Sequence, residues 1–335
     1  MKKSLIAMAV LAASGAAMAQ SSVTLYGIVD SYVGSVKTGV GAARVSQTVV
    51  NNGGIQGSRF GFKGSEDLGG GLKAIFQLED RFSVDTGSIG TNALFHGRSA
   101  VGLSGGFGEV KLGREYTIYD DIRGGFAGGV VFDASAFSPV GDVFGLGSDD
   151  YAGRANNQIR YVTPNFSGFT AGVSYGLGED KAVGVKASHI AAVNVAYANG
   201  PLSVGYAYQE EKPVSTSTAG TDKYNFLGAS YNFGVVKLTG MYQNRKLLAV
   251  KDNDFAFGVE VPLGAFTVNA GFASAKEKDG SGTLFKSSGF GVAGSYALSK
   301  RTDVYAGLKT TQVKDGAGTK IRDNDTLGLG IRHKF

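Results

Sequence analysis

Arginines recur in this chain where a β-strand would turn them away from its apolar side. In "SRFGFKG", Phe60 and Phe62 alternate with Arg59 and Lys63. In "GRSAVGLSG", Val101 and Leu103 leave Arg98 on the opposite face, and in "GRANNQIRYV", Ile159 and Tyr161 do the same for Arg154 and Arg160. "LKAIFQLED" sets Leu72, Ala74, Phe76 and Leu78 against Lys73, Gln77 and Glu79. Successive strand side chains point to opposite faces, so each segment is greasy on one side and charged on the other. A guanidinium stays ionised and presents a fork of donors to oxyanions, so such a set attracts and orients charged solutes rather than moving protons.

Carboxylates that could face these cations lie in one unusual stretch, residues 120–153, "DDIRGGFAGGVVFDASAFSPVGDVFGLGSDDYAG". Asp121, Asp133 and Asp142, with Glu79 on the wall, are the candidate acidic partners. Other chemistry is thinly provided for. His96, His189 and His333 fall on separate strands with no recognisable activated serine beside them, which leaves a barrel enzyme as a remote alternative. Cysteine is absent, so thiolate ligation and disulfides are not available, and no cofactor or metal is expected. "GLSGGFG" lacks the strand-then-helix setting of a nucleotide loop. The formal charge of +5 falls to +3 if Lys2 and Lys3 are removed with a leader, too modest to suggest nucleic acid.

Such a leader is expected. Lys2 and Lys3 precede "LIAMAVLAA", an apolar run too short to span a bilayer, and "AMA" before Gln20 fits a cleavage site, so residues 1–19 read as a secretory signal peptide and 20–335 as the mature domain. No later apolar run approaches the ~20 residues of a transmembrane helix.

The elements that must position the arginines are strands. The chain carries 53 glycines among its 335 residues, far above the usual ~7 %, with only five prolines and no collagen period, while 21 Phe and 15 Tyr supply apolar surface. Glycine is unfavourable in helices and marks bends and close approaches in sheets, so this composition points to a large curved sheet. About ten residues of alternation, a break, and ten more recur sixteen times, beginning with 22–33, 55–65, 72–84, 94–104, 109–119 and 154–163 and ending with 302–313 and 323–335. Short connections such as 105–108 and 199–201 alternate with longer polar ones such as 85–92 and 213–221. That asymmetry is expected of an all-β, 16-stranded antiparallel transmembrane β-barrel, both termini on the short-turn, periplasmic rim. In lipid every backbone polar group must be paired, so the last strand has to close on the first, and a barrel this wide holds water. A secreted soluble β protein whose apolar faces form a core is the competing architecture.

Arg59 and Arg98 each lie seven residues from their short turns, about 18 Å above that rim, while Arg154 lies ten residues from its own. Arg114 differs: with Val110 and Leu112 outward, alternation sends it to the lipid face unless Gly113 hosts a bulge, and an acid of a neighbouring subunit is its expected partner. The stretch 120–153 is too long and too aromatic to float in solvent, with Phe126, Phe132, Phe137 and Phe144 to bury. It either folds back into the barrel or packs among the outer loops; the residues alone allow both. The chain ends "TLGLGIRHKF", with Leu327, Leu329 and Ile331 on one face and Phe335 last.

Taken together, "VTLYGIVD", "SRFGFKGSEDLGGGLKAIFQLE", "GRSAVGLSGGFGEVKLGREY", "NNQIRYVTPNFSGF" and the terminal phenylalanine resemble the general diffusion porins of Gram-negative outer membranes, nearest to the beta-proteobacterial type. The resemblance implies a homotrimer in the outer membrane, with the third long loop folded into the lumen of each barrel. It implies an arginine cluster carried by Arg59, Arg98 and Arg154, flanked by Lys63 and Arg160, facing loop acids, although the "PEFGG" of enteric members is missing. Small hydrophilic solutes and ions would pass, with mild anion preference because inward arginines outnumber placed carboxylates. The implied partners are outer-membrane lipid and lipopolysaccharide, and the insertion machinery that reads a terminal aromatic such as Phe335. A substrate-specific channel is the nearer alternative, but Tyr26 and Tyr32 do not make a ladder of inward aromatics.

Overall fold

The computed structural model describes residues 22–90, 93–132, 135–147 and 150–335. The leader expected at 1–19, and Asp133, lie outside the described residues. The described strands are β1 (Ser22–Thr38), β2 (Val45–Asn52), β3 (Arg59–Gly69), β4 (Leu72–Arg81), β5 (Arg98–Gly105), β6 (Gly108–Tyr116), β7 (Arg154–Val162), β8 (Phe169–Leu177) and β9 (His189–Asn199). They continue as β10 (Leu202–Lys212), β11 (Asp222–Asn232), β12 (Lys237–Leu247), β13 (Val250–Leu263), β14 (Phe266–Asp279), β15 (Gly282–Ala297), β16 (Thr302–Asp315) and β17 (Lys320–Lys334). From β3 onward each strand pairs antiparallel with the next, and β17 pairs with β1 from Ile28 opposite Lys334 to Thr38 opposite Asn324. Among the described strands the sheet thus closes on itself, β1 meeting β17.

Seventeen strands make sixteen spans, because β2 and β3 are two halves of one. The upper part of β1 pairs with β2 and the lower part with β3, and the span breaks at 53–58. The segment expected as a single strand at 55–65 therefore starts later, and residues 45–52 add a strand above it. The cause is Asp30 of β1. Its carboxylate accepts from the backbone N–H of Gly54 (2.9 Å), Ile55 (3.1 Å) and Gln56 (2.8 Å), which folds the chain into a turn instead of letting it continue the ladder.

The outer face is the apolar one. Leu25 is 55 % exposed, Val101 59 % and Leu327 60 %, whereas inward neighbours such as Asp30, Tyr32, Asp254 and Thr311 are buried. A soluble sandwich would reverse this, since its apolar faces must cover each other. Aromatic pairs ring the short-turn end: Phe169 with Tyr197, Tyr231 with Phe233, and Phe266 with Tyr296, each at 4.5 Å between centroids. This is the interfacial girdle of a membrane barrel. Phe335 is not frayed. Its N–H donates to the Gly27 carbonyl (3.1 Å), its carbonyl accepts from Gly27 (3.0 Å), and its ring covers Gly27 so closely that a Cβ there would meet it at 2.3 Å.

The strand expected at 109–119 ends at Tyr116, and the long connection begins with a helix, α1 (Ile118–Val131), followed by a single turn, α2 (Val140–Val143). Thr117 caps α1, its hydroxyl accepting from the Asp120 N–H (3.3 Å). The helix packs inside the barrel, so of the two placements open to this loop the structure takes the one that folds it into the lumen. Its docking surface is a track of glycines. Ile118 lies over Gly172, Phe126 over Gly228, the carbonyl of Gly129 over Gly258, Val130 over Gly271, and Phe137 over Gly291 and Gly307. A Cβ at Gly258 would sit 2.2 Å from the Gly129 oxygen, and one at Gly291 2.0 Å from that of Phe137. Register aligns the track, with Gly258 facing Gly271 and Gly271 facing Gly291 on adjacent strands. Part of the glycine surplus is thus the groove that receives the loop.

Candidate pore constriction

Where the loop crosses the lumen it leaves a cavity of about 640 Å³. One side is the strand wall, with Arg59 at the start of β3, Arg81 at the end of β4, Arg98 at the start of β5 and Arg154 at the start of β7. Tyr116, the last residue of β6, organises them. Its hydroxyl accepts from both Arg81 and Arg154, and its ring lies under Arg154 (4.0 Å from guanidinium carbon to centroid) and Arg98 (4.6 Å). Stacking on a π face and sharing one hydroxyl hold like charges together without cancelling them.

The buried acids Glu79 and Glu115 support this wall from behind. Glu115 approaches Arg98 (3.3 Å) and Glu79 approaches Arg81 (3.6 Å), while Glu79 also accepts from Tyr26 (3.0 Å). Glu79 was expected to face the arginines across the lumen. It stands instead beneath them on the same wall, because register places it directly beside Arg98.

The loop supplies the opposite side. Asp120, Asp121 and Asp142 line the cavity with Arg123, and Lys309 of β16 completes it. Asp121 pairs with Arg160 (2.5 Å), and Asp142 pairs with Lys309 (2.9 Å) and accepts from Thr311 (3.0 Å). Asp120 accepts from the Tyr151 hydroxyl (2.5 Å). Burial on the loop pushes the Asp120 carboxyl up to about 6, opposed by that hydrogen bond and by Arg123. Arg123 pairs with Asp150, which holds it firmly charged despite its burial.

Of the residues singled out from sequence, Arg59, Arg98, Arg154, Asp121 and Asp142 share this cavity, and Arg160 reaches it through Asp121. Lys63 does not. It lies over the Tyr26 ring (5.4 Å) in a separate recess with Glu109 and Lys111. Arg154 arrives by a different route from simple alternation. Asn157 takes a left-handed conformation (φ 49°) at a bulge between β6 and β7, so Ala155 takes the buried position, and Arg154 turns inward as the chain leaves the wall for the loop. The same bulge lies on β7, not at Arg114, which stays on the outer face bonded to the His96 carbonyl (2.7 Å) and Asn156 (2.6 Å). Arg81, Arg123, Lys309 and Tyr116 were not anticipated. Arg81 shares the parity of Gln77 and Glu79, and Lys309 sits next to outward Leu308, so both were open to the same counting; Arg123 and Tyr116 depend on how the loop folds.

A closed barrel, apolar outside, polar inside and narrowed by its own loop over a cavity lined with charge, is a porin. The comparisons agree: the profile of the Gram-negative porin family matches residues 5–316, and the chain belongs to that family. It is 39 % identical to outer membrane porin protein 32 of Delftia acidovorans and 30 % identical to an outer membrane porin of Bordetella pertussis, each over the whole of both chains. Its fold matches that of the anion-selective porin from Comamonas acidovorans with a TM-score of 0.79 at 33 % identity, covering 94 % of this chain and 100 % of that one. OmpF of Salmonella typhi, at 18 % identity and TM-score 0.69, shares the fold.

Proposed function

We propose that this porin conducts small hydrophilic solutes and ions passively across the outer membrane and prefers anions. One observation carries the preference: six cations, Arg59, Arg81, Arg98, Arg123, Arg154 and Lys309, line the cavity against three carboxylates, Asp120, Asp121 and Asp142. A charged ring of one sign in a narrow aqueous passage sets which ions enter. The 33 % identical Comamonas porin, described as anion-selective, supports this sign. No chemistry is performed; the arginines and loop acids act by a field across the lumen.

The chain is exported by the leader at 1–19, inserts with both termini at the periplasmic rim, and assembles as a homotrimer, each loop of 120–153 forming the constriction. Phe335, whose backbone and ring close on Gly27, serves as the assembly signal read by the insertion machinery. Arg114, on the outer face, pairs with an acid of a neighbouring subunit. Single-channel recording in a planar bilayer tests channel and trimer together. Stepwise conductance that closes in threes supports both, whereas hydrolytic activity without conductance would refute them.

A further inference from the structure

Beneath α1, on the short-turn side of the constriction, a second recess of about 250 Å³ opens into the lumen. Its back is a register row of hydroxyls. Ser203 of β10 faces Ser230 of β11, which faces Thr239 of β12. Two residues further from the short turns, Gly205 faces Gly228, and the bare backbone there lets the helix seat against the wall. A Cβ at Gly205 would meet Ile122 at 2.8 Å, and one at Gly228 would meet Phe126 at 2.4 Å. The same two side chains roof the recess, and Lys237, the first residue of β12, stands at its rim.

Polarity decides what the recess can hold. Thr239 is 2 % exposed and its hydroxyl has no hydrogen-bond partner among the described residues, a desolvation cost that an acceptor on a solute would relieve. Lys237 has no ion pair among the described residues. Glu260 faces it in register but does not line the recess, and Asp121, which does, is held by Arg160 (2.5 Å). An ammonium beside a row of hydroxyls suits a carboxylate, and the Phe126 ring with Ile122 suits an apolar body. Drug-sized ligands take roughly 300 Å³ or more, so this space admits one ring. Asp121 and Gly125 line both the recess and the constriction, so an anion at the arginine wall reaches Lys237 without leaving the lumen.

We propose that this recess binds small aromatic monocarboxylates in passage, the carboxylate on Lys237 and the hydroxyl row, the ring beneath Ile122 and Phe126. The inference rests on the anion-preferring pore proposed above and adds a solute class to it. The test is block of the chloride current through the purified porin in a planar bilayer, for wild type, Lys237→Gln and Lys237→Arg. The probes are benzoate, acetate, which lacks the ring, and benzamide, which lacks the charge. Benzoate should half-block wild type and Lys237→Arg at the same concentration, and Lys237→Gln should need roughly tenfold more. Acetate and benzamide should each need roughly tenfold more than benzoate in wild type. Unit conductance in chloride alone should match in all three, which separates a lost site from a lost fold. Equal half-blocking concentrations of benzoate in wild type and Lys237→Gln overturn the proposal, since block at the arginines alone would not depend on Lys237. Acetate or benzamide blocking as strongly as benzoate overturns it too, because the recess would then not read ring and charge together. A wild-type reversal potential of the anion sign without benzoate block refutes the recess alone, whereas a cation sign refutes the pore reading on which it rests.

Discussion

The Tyr305 hydroxyl donates to the Asp30 carboxylate, joining β16 to β1 inside the wall. Asp30 is 0 % exposed, and the turn it gathers presents the carbonyls of Gly53 and Gly54 to the Ala136 N–H (3.3 and 3.0 Å). Phe137 then packs on Tyr32 (5.7 Å) and Tyr305 (6.2 Å). One carboxylate thus holds the turn that holds the tip of the loop. Asp30→Asn keeps the volume but replaces one acceptor oxygen by a donor, so a loss of about 1–3 kcal/mol is expected, read from the unfolding midpoint in denaturant, with a noisier open channel. Tyr305→Phe should cost about 1 kcal/mol. Two unchanged midpoints would remove Asp30 from this role.

The glycine track makes a contrast that needs no energy scale. A side chain at Gly258 meets backbone, the Gly129 oxygen at 2.2 Å and the Val130 Cα at 2.5 Å, and cannot swing clear. At Gly240 a Cβ has nothing within 4 Å. Gly258→Val should push the loop from the wall and change unit conductance, while Gly240→Ala should leave it as it is. Equal conductances in the two variants would mean that the loop is not held by this contact.

Acidity provides a third handle. Asp120 has its carboxyl pushed up to about 6 by burial, so it is ionised at neutral pH and takes up a proton as the solution falls below that value. Protonation leaves two carboxylates against six cations around the cavity. Anion preference, read as reversal potential in a salt gradient, should therefore rise on acidification from neutral pH to about pH 5. Asp120→Asn should show the acid value at both pH values; a variant that keeps the full shift would place the titrating group elsewhere.

Arg114 tests the assembly. Its guanidinium is held on the outer face by His96 and Asn156, with its remaining donors free to reach a neighbour. Arg114→Ala should lower the temperature at which the oligomer dissociates on unheated gels without altering conductance per pore. An unchanged dissociation temperature would take Arg114 out of the interface.

Much of this molecule can be counted from its sequence, because lipid outside and water inside impose a period of two on every span. That period turned Arg59 and Arg98 inward and left Leu327, Leu329 and Ile331 outside. It fails where another force takes over. The Asp30 carboxylate breaks the second span, a contact between residues 24 or more apart that no local pattern reveals. Helix α1 has Ile118, Ile122, Phe126 and Val130 spaced by four, yet Gly124, Gly125, Gly128 and Gly129 disfavour a helix by about 1 kcal/mol each, and the wall's glycine groove must supply what propensity does not. The partners of the loop acids are equally invisible, since Asp142 meets Lys309 only after the chain has crossed the barrel.

The charge around the constriction is tested most directly by the reversal potential of the purified porin in a planar bilayer under a salt gradient, for wild type and for Arg98→Gln/Arg154→Gln. With six cations facing three carboxylates, the wild-type potential should have the sign set by anions moving down their gradient, and the double variant should move it toward zero. A wild-type potential of the cation sign, or a double variant indistinguishable from wild type, would contradict an anion-preferring pore built on these arginines.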